Sequence, residues 1–488
     1  MRLLDMFRGQ PRDCQVAALT ALEKYWNEAD VFVLSAPTAA GKTRMMSTIA
    51  RWVHKKHKLQ STILVPNNVL LDQVVESEGI YALRNMDSYT CQGGATDQQG
   101  EAMSCQARKR VMGETCGQCV YLRQVRQVHK VPYRVANYYT YLAHRLYSPV
   151  IMVDEAHLLV NMTKELAAKH LWVDRILLKG GDEVRLPYFV DTYEALLDWV
   201  RTREFREGAW QALREELETG RMRYLVERGD RRYRGRERDC LTLLPLDTSH
   251  EPKLEVLWPS KKVQKIVLLS GTISRLEVEQ LALAGKRVKY IEVESPIEAK
   301  RRPVFVEQGY GLSYPVSQDS LSSLASRVVN ICNMSPKTKI LVHIPYSLSA
   351  KILPMLREQL GDRVLSHGRE DKIEVVDYFK TTKEPLVLLG SGLYEGVDLY
   401  GDDYQVQIIC KVPWPFLGDP AWKFIAETHP ERYAWQAIQQ VVQAAGRICR
   451  GPDDFGSTFI LDRSFRRLYS QQGTLFPEYF KQAVVIDG

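Results

Sequence analysis

A lysine and a threonine near the start of the chain stand in a pattern that binds phosphate groups. The β-branched segment 31–34 predicts a buried strand, and the loop 36–43, with the sequence APTAAGKT, leads into a helical pattern. Backbone N–H groups at the start of that helix would face the β and γ phosphates of a nucleotide. Lys42 would add a positive charge beside them, and the Thr43 hydroxyl would ligate Mg²⁺. The predicted phosphate ligands are Ala39, Ala40, Gly41, Lys42 and Thr43.

Two adjacent carboxylates, Asp154 and Glu155, follow a second apolar segment at residues 150–153. Open parallel sheets bind ligands at the carboxyl ends of their strands, so we expect this pair beside the phosphate loop. Asp154 would hold Mg²⁺ directly or through water, and Glu155 would polarise the water that attacks the γ-phosphate. His157 would connect the site to neighbouring segments. A solvated acidic turn is the alternative for such a segment standing alone.

Gln443, Arg447 and Arg450 lie in an apolar helical pattern at spacings of four and three, which predicts that they share one helix face. Arginines held on one face can reach a transferring phosphoryl group. Two further segments, 270–272 and 390–398, follow apolar runs and are expected as loops at strand ends. Each segment alone favours a turn or an exposed basic helix, but their joint occurrence in this order favours a hydrolytic site.

Four of the nine cysteines, Cys91, Cys105, Cys116 and Cys119, fall within 29 residues with the spacing C-x13-C-x10-C-x2-C. An odd total with one cluster favours a metal or cluster site over a disulfide framework. Thiolates hold either a 4Fe-4S cluster or a tetrahedral Zn²⁺, and the spacing does not choose between them. Ligand geometry alone modestly favours zinc, and free thiols are a third alternative.

The chain has 488 residues and a formal net charge of +7, with 26% charged and 45% hydrophobic residues. These values exclude a mini-protein and a disordered chain, and they predict two to four domains. Neither a signal peptide nor an apolar run of membrane-spanning length is evident, so we expect an intracellular, cytoplasmic protein with no membrane partner. The mild positive charge favours a polyanionic partner without identifying it.

The order of these segments resembles that of superfamily-two helicases, and within them the XPD/DinG-like iron–sulfur DNA helicases. The most specific likeness is EGVD at 395–398 followed by VPWP at 412–415, which separates this group from other helicases. The resemblance covers most of the chain. The matching segments are Arg12–Gln15, 36–43, Pro66 with Leu70 and Gln73, 153–157, 268–273, 341–347, 395–398 with Gly401, 412–420 and 443–450.

This resemblance implies a DNA helicase that uses ATP and Mg²⁺ and moves 5′ to 3′ on single-stranded DNA. It implies that Arg12 and Gln15 read the adenine, that Asp398 joins the nucleotide site, and that Arg447 and Arg450 act with Gln443 in catalysis. It also favours a 4Fe-4S cluster over zinc at the four clustered cysteines.

The fold class predicted from these features is α/β, with two RecA-like motor domains built on parallel sheets. An iron–sulfur cluster domain and a helical arch-like insertion would interrupt the first motor domain. The predicted ranges are 1–83, 146–159 and 259–297 for the first motor domain, 84–145 for the cluster insertion, 160–258 for the arch-like insertion and 298–488 for the second motor domain.

Two charged segments have competing interpretations. The interleaved charges of 201–239 favour a solvated helix face, while the resemblance would make 231–238 a turn that touches DNA phosphates. The basic, aromatic segment 123–141 would either stack on bases or place its tyrosines in the core.

Single-stranded and forked DNA are the expected partners of a monomer, with any protein loading partners unknown. One alternative function is a remodelling subunit that uses ATP as a switch and unwinds little. The other is an ATPase that acts on RNA or RNA–DNA hybrids.

Overall fold

The computed structural model of the chain describes residues 1–486 apart from 95, 98, 221–222, 234–235, 250, 284, 395–398, 400 and 402. The predicted nucleotide ligand Asp398, with the rest of segment 395–398, therefore lies outside the described residues. Within the described ranges, no helix combines the length and the apolar content needed to cross a membrane.

The first part of the chain alternates strands and helices, as the apolar runs predict. The first two strands are mostly apolar because a parallel sheet covered on both faces buries nearly all of their side chains. The elements are α1 (Asp13–Tyr25), β1 (Val31–Ser35), α2 (Lys42–His57), β2 (Ser61–Val65), α3 (Asn68–Glu78) and β3 (Tyr81–Leu83).

The cysteine-containing segment carries two short helices and then returns to the sheet. Its elements and those that follow are α4 (Cys105–Met112), α5 (Val120–Val128), β4 (Tyr133–Asn137), α6 (Tyr138–Ala143) and β5 (Val150–Val153). The prediction that all of 84–145 is an insertion is wrong for β4, which pairs in parallel with both β2 and β3. Its buried, β-branched centre gives it the character of a sheet strand.

The second insertion is part helix and part sheet. Its elements are α7 (Leu159–Ala167), β6 (Lys169–Trp172), β7 (Ile176–Leu177), β8 (Glu183–Val184), α8 (Tyr193–Arg201), α9 (Ala209–Glu218), β9 (Tyr224–Tyr233) and β10 (Arg236–Pro245). The prediction of a helical insertion is wrong for β6, β10 and β9, which form an antiparallel sheet in that order. The interleaved charges pair across strands there, as Arg228 does with Asp239 at 2.6 Å.

The first sheet is completed after the second insertion by β11 (Lys265–Ser270) and β12 (Val288–Glu292), with α10 (Arg275–Glu279) between them. Its order is β12-β1-β11-β5-β2-β4-β3, and all neighbouring strands are parallel. Successive residues of β1 face opposite sides of the sheet: Val31 and Val33 pack into one core, whereas Phe32 and Leu34 pack into another.

The rest of the chain forms a second seven-stranded parallel sheet, in the order β15-β16-β14-β17-β18-β13-β19. Two parallel α/β domains are therefore present, as the sequence predicts. The elements are β13 (Val304–Tyr310), α11 (Gln318–Met334), β14 (Ile340–His343), α12 (Tyr346–Leu360), β15 (Val364–Ser366), α13 (Lys372–Thr381), β16 (Val387–Gly390), β17 (Val406–Ile409), α14 (Pro420–Thr428), α15 (Pro430–Ala445), β18 (Ser457–Asp462), α16 (Arg463–Gln472), α17 (Glu478–Lys481) and β19 (Val484–Ile486).

Candidate active site

The loop between β1 and α2 has the backbone of a phosphate-binding turn. Gly41 has φ +76° and Ala39 has φ +68°, both in the left-handed region. A Cβ atom on Gly41 would lie 2.3 Å from Gln15 Nε2, so only glycine fits there. Alanine at Ala39 costs about 1 to 2 kcal/mol in this conformation, so the surrounding packing must hold the turn.

Arg12 and Gln15 of the predicted adenine-reading motif contact this loop. Gln15 Nε2 donates to the Ala40 carbonyl oxygen at 2.9 Å, and its Oε1 accepts from the Arg12 backbone N–H at 3.0 Å. The Arg12 guanidinium donates to the Ala39 carbonyl oxygen. Because Gln15 is only 4% exposed, its side chain acts in this structure as a brace for the phosphate loop.

The Lys42 ammonium lies among the carboxylates of Asp154 and Glu155, and the charges of these groups affect one another's pKa. Lys42 Nζ lies 3.2 Å from Glu155 Oε1. Burial lowers the pKa of Lys42, but attraction to Glu155 and Asp154 outweighs it and the net shift is upward. Burial raises the pKa of Asp154 to about 7, and the neighbouring Glu155 charge adds to the effect. A cation bound at Asp154 would favour its ionised form, and carboxylate oxygens are ligands that Mg²⁺ prefers.

Glu155 adopts a backbone conformation that is rare for a residue with a side chain. Its φ and ψ are 46° and 49°, in the left-handed region. Burial raises the pKa of its carboxyl group, but the Lys42 ammonium outweighs that effect, so the net shift is downward and the carboxyl stays ionised. Strain of this kind persists where surrounding contacts over-determine the turn, and it concentrates at functional sites.

His157 joins the two domains. Its Nδ1 lies 2.7 Å from Ser270 Oγ in the first domain, and its Nε2 lies 2.9 Å from Gln443 Nε2 in the second. Gln443 Nε2 also donates to Thr272 Oγ1 at 3.0 Å. Burial lowers the pKa of His157 to about 4, so the imidazole is neutral at physiological pH and can accept the amide proton.

The two arginines reach the cleft differently from the prediction. Helix α15 ends at Ala445, and Gly446 follows, so Gln443 alone of the three predicted residues lies on the helix. Glycine has low helix propensity, and the helix ends there although the spacing of the polar residues continues. Arg447 Nε donates to the Tyr394 carbonyl oxygen at 2.9 Å. Arg450 lines the same cavity as Glu155, and its charge lowers the pKa of that carboxyl group.

Residues from both domains line one cavity of about 480 Å³. The same cavity borders Pro66, Leu70 and Gln73, one of the segments that resemble the helicase family. The predicted site residues that line it are Lys42, Glu155, Gln443, Arg447 and Arg450. A ligand bound there would touch both domains at once, so cleft closure and ligand binding are linked.

A second cross-cleft contact was not predicted from the sequence. Gln439 lies one helical turn before Gln443 on α15, and its Nε2 donates to Glu277 Oε1 at 2.8 Å and to the Thr272 carbonyl oxygen at 3.0 Å. Burial raises the pKa of Glu277 to about 7. The spacing of four between the glutamines was the available signal, since it places both on one helix face.

The four clustered cysteines are buried and belong to one core cluster. The four thiols influence one another's pKa. Cys91 and Cys119 each act on both Cys105 and Cys116. The Gly93 N–H donates to Cys91 Sγ at 3.4 Å. Burial raises the pKa of Cys105 to about 11. Across the residues that the structure describes, no group of three Cys, His, Asp or Glu side chains is arranged to hold a metal ion.

The segment 123–141 is mainly structural. Arg134 is 1% exposed and donates to the backbone carbonyl oxygens of Leu146 and Tyr147 at 3.0 and 2.9 Å. Tyr138 and Tyr141 are buried. The interpretation as a stacking surface is therefore wrong for Arg134, Tyr138 and Tyr141, because they are buried, whereas Tyr139 is 60% exposed and stays open to it.

Comparisons with known proteins agree with this geometry. A family model described as a helicase C-terminal domain matches residues 328–483, and one described as the res subunit of type III restriction enzymes matches 8–177. No curated protein matches the chain. An apo XPD structure is 15% identical, with a TM-score of 0.56, and the match covers 95% of this chain and 98% of that chain.

Two further solved structures have the same fold over their whole length. One, named as an XPD helicase, is 15% identical with a TM-score of 0.57, and the match covers 98% of this chain and 100% of that chain. The other, Xpd4 from S. tokodaii, is 14% identical with a TM-score of 0.55 and the same coverage. The two family models include the phosphate loop, the Asp154–Glu155 pair and the cleft-facing end of α15. The chain therefore belongs to the superfamily-two helicases, which are ATP-dependent enzymes that act on nucleic acids, and it has the fold of the XPD helicases.

Proposed function

We propose that this helicase hydrolyses ATP in the cleft between its two domains to move 5′ to 3′ along single-stranded DNA and to unwind duplex DNA. The observation that carries the proposal is the shared cavity, where Lys42 and Glu155 of the first domain meet Gln443, Arg447 and Arg450 of the second. A site divided in this way turns over only when the domains approach, and that approach supplies the motion.

Each residue has a proposed role in hydrolysis. The N–H groups of 39–41 and the Lys42 ammonium bind the β and γ phosphates, while Thr43 and Asp154 hold Mg²⁺. Glu155 accepts a hydrogen bond from the attacking water and directs it at the γ-phosphate. The nucleotide's base lies near Arg12 and Gln15, and Asp398 contributes to the same site.

Charge balance supports the proposed role of the second domain. The transferring γ-phosphoryl group spreads its charge over three equatorial oxygens, and Arg447 and Arg450 line the same cavity as Lys42, where their guanidinium groups can stabilise that charge. Contacts that tighten as the cleft closes lower the barrier more than they raise ground-state affinity. Hydrolysis therefore releases the contacts that hold the cleft closed, and the domains separate.

We assign a 4Fe-4S cluster to Cys91, Cys105, Cys116 and Cys119. The four buried thiols supply donors of the number and kind that such a cluster takes, and an N–H group faces Cys91, as hydrogen bonds to the sulfurs tune such clusters. Binding would have to draw the thiols together, since no three of them are in a ligating arrangement among the described residues. The choice over zinc follows the resemblance to the XPD/DinG-like group. When bound, the cluster would tie the segment between β3 and β4 into one rigid unit, and we propose that this unit acts as a wedge near the point where the DNA strands separate.

The substrate class is tested with forked substrates of DNA, of RNA and of an RNA–DNA hybrid, each with the same sequence. We expect ATP-dependent strand displacement of the DNA fork at low salt, weakening as salt rises because phosphate contacts release counterions. Preferential displacement of RNA or of the hybrid would overturn the DNA assignment. ATP turnover with no displacement of any substrate would instead identify an ATP-switched remodelling subunit.

A further inference from the structure

The segment 135–138 has the sequence VANY and ends at a buried tyrosine that touches the catalytic turn. Tyr138 opens α6 directly after β4 and is 4% exposed. Its hydroxyl donates to the Asp154 carbonyl oxygen at 2.6 Å and lies 3.2 Å from the Glu155 carbonyl oxygen. One O–H group therefore bridges the two peptide units that flank the α-carbon of Glu155.

This contact falls where the backbone needs support. Glu155 occupies the left-handed region at φ 46°, and from there its carboxylate lies 3.2 Å from Lys42 Nζ and 3.4 Å from His157 Nδ1. A non-glycine residue leaves that region unless neighbouring contacts hold it. The Tyr138 hydroxyl is such a contact, because it fixes the positions of both carbonyl oxygens.

We propose that Tyr138 is a positioning residue for ATP hydrolysis: its hydroxyl holds the Asp154–Glu155 turn so that the Glu155 carboxylate faces the phosphate site. The inference rests on the proposed role of Glu155 in directing water. Tyr138 touches neither nucleotide nor water itself, and it acts through the backbone of the two carboxylate residues.

Helix α6 also connects this turn to both insertions. Asn137, the residue before the helix, donates to Asn85 Oδ1 at 2.9 Å, where the cysteine segment leaves the sheet. The Tyr141 hydroxyl donates to the Leu257 carbonyl oxygen at 2.6 Å, where the second insertion returns. The Tyr121 hydroxyl, two residues after Cys119, contacts His144 Nε2 at the helix's end.

These contacts give the insertions a direct route to the catalytic turn. A displacement of the cysteine segment or the second insertion moves α6, and α6 carries Tyr138. A nucleic acid that binds across the insertions would therefore change the alignment of Glu155, so Tyr138 links strand binding to the rate of hydrolysis.

The test compares Tyr138→Phe with Tyr141→Phe in the full-length protein. The two tyrosines lie on the same helix, and each variant keeps the ring but removes one buried hydroxyl that donates to a backbone carbonyl outside the helix. Their losses of folding stability should therefore match. We expect Tyr138→Phe to lower kcat for ATP about tenfold with KM within about twofold of wild type, since tenfold corresponds to one misplaced contact in the transition state. Tyr141→Phe should keep wild-type basal turnover, measured without nucleic acid.

Equal kcat for the two variants, or loss of nucleotide binding together with kcat in Tyr138→Phe, would overturn the inference, because either result indicates a general structural role. Binding is measured with a fluorescent ATP analogue and stability by thermal unfolding. Absence of turnover in the wild-type protein would refute the proposed enzyme function instead, and so the two failures are distinguishable.

A third variant tests the link to the insertions. Tyr121→Phe removes the contact with His144 and leaves Tyr138 in place, so basal turnover should match wild type while stimulation by single-stranded DNA falls. Full stimulation in this variant would contradict the route through α6. A wild-type protein that single-stranded DNA does not stimulate would count against the proposed DNA substrate.

Discussion

The side-chain nitrogen of Gln443 lies 2.9 Å from Nε2 of His157, and this contact joins α15 of the second domain to the segment that follows the Asp154–Glu155 turn of the first. On its other side the His157 imidazole reaches Ser270 Oγ at 2.7 Å and Glu155 Oε2 at 3.4 Å. Because burial lowers the His157 pKa to about 4, this link is a neutral hydrogen-bonded bridge. Movement of α15 therefore reaches the Glu155 carboxylate through one imidazole ring.

Replacing Glu155 by glutamine should abolish hydrolysis while ATP and DNA still bind. An amide cannot accept the proton or polarise the attacking water as a carboxylate does, and we expect kcat to fall by about 100-fold or more. The matched control is Glu165→Gln, which changes an exposed carboxylate on α7 that accepts a hydrogen bond from Tyr139. Wild-type turnover in Glu155→Gln, measured by phosphate release, would refute the assigned role.

Replacing Arg447 by alanine should lower kcat much more than ATP affinity. A guanidinium that meets the phosphoryl group only as the cleft closes stabilises the transition state, and its removal should cost about 100-fold in kcat. Arg467→Ala on the exposed face of α16 is the control for a lost charge on the same domain. If ATP affinity collapsed while kcat at saturation stayed normal, the arginine would be a ground-state ligand.

The free energy of unfolding should depend on pH through Glu277, which is buried where it contacts Gln439. Burial raises the pKa of Glu277 to about 7 in the folded protein, whereas the ordinary pKa of a glutamate carboxyl group is 4.5. Between these values the folded state binds more protons, so this group contributes stability below pH 4.5 that is lost as pH rises through 7. The full shift corresponds to at most about 3 kcal/mol.

In the Glu277→Gln variant this side chain is neutral at every pH, so the variant does not lose this stability as pH rises. Relative to wild type, its melting temperature should therefore rise between pH 5 and pH 8, while the two proteins should melt closer together at the lower pH. A difference in melting temperature that does not change with pH would contradict a protonated Glu277 at this interface.

Replacing Cys116 by serine should remove the visible absorption of the cluster and abolish unwinding, while much of the basal ATPase remains. The cysteine segment does not line the cavity between the domains, so loss of the cluster should affect the handling of the DNA strand and not the nucleotide site. Cys240→Ser changes a buried thiol outside the group and should keep both colour and unwinding. Protein prepared without oxygen that held one zinc and negligible iron would contradict the cluster assignment.

The elements predicted best from the sequence are those whose local residue pattern agrees with the tertiary structure. The strand, loop and helix around Lys42 follow from β-branched residues, a glycine and a helical pattern within some twenty-five residues, and the structure contains all three. The strand that delivers Asp154 follows equally from its four apolar residues. The two all-parallel sheets could be predicted as well, because strands that are apolar throughout are typical of parallel sheets covered by helices on both faces.

Long-range contacts could not be predicted from local sequence patterns. Gln439 and Glu277 are 162 positions apart, and no local pattern joins them. The strand β4 lies between short helices, and its place in the first sheet is decided by pairing with β2 and β3. The end of α15 before Arg447 depends on Gly446, a single residue that interrupts an otherwise helical spacing.

The measurement that tests the central claim most directly is ATP-dependent unwinding of paired duplexes that differ only in carrying a 5′ or a 3′ single-stranded tail. Wild-type protein should unwind the 5′-tailed duplex and leave the 3′-tailed and blunt duplexes largely intact. Lys42→Ala, which lacks the charge that faces the phosphates, should unwind none of them although it remains folded. Preferential unwinding from the 3′ tail would contradict the proposed polarity, and equal unwinding by Lys42→Ala would contradict an ATP-driven mechanism.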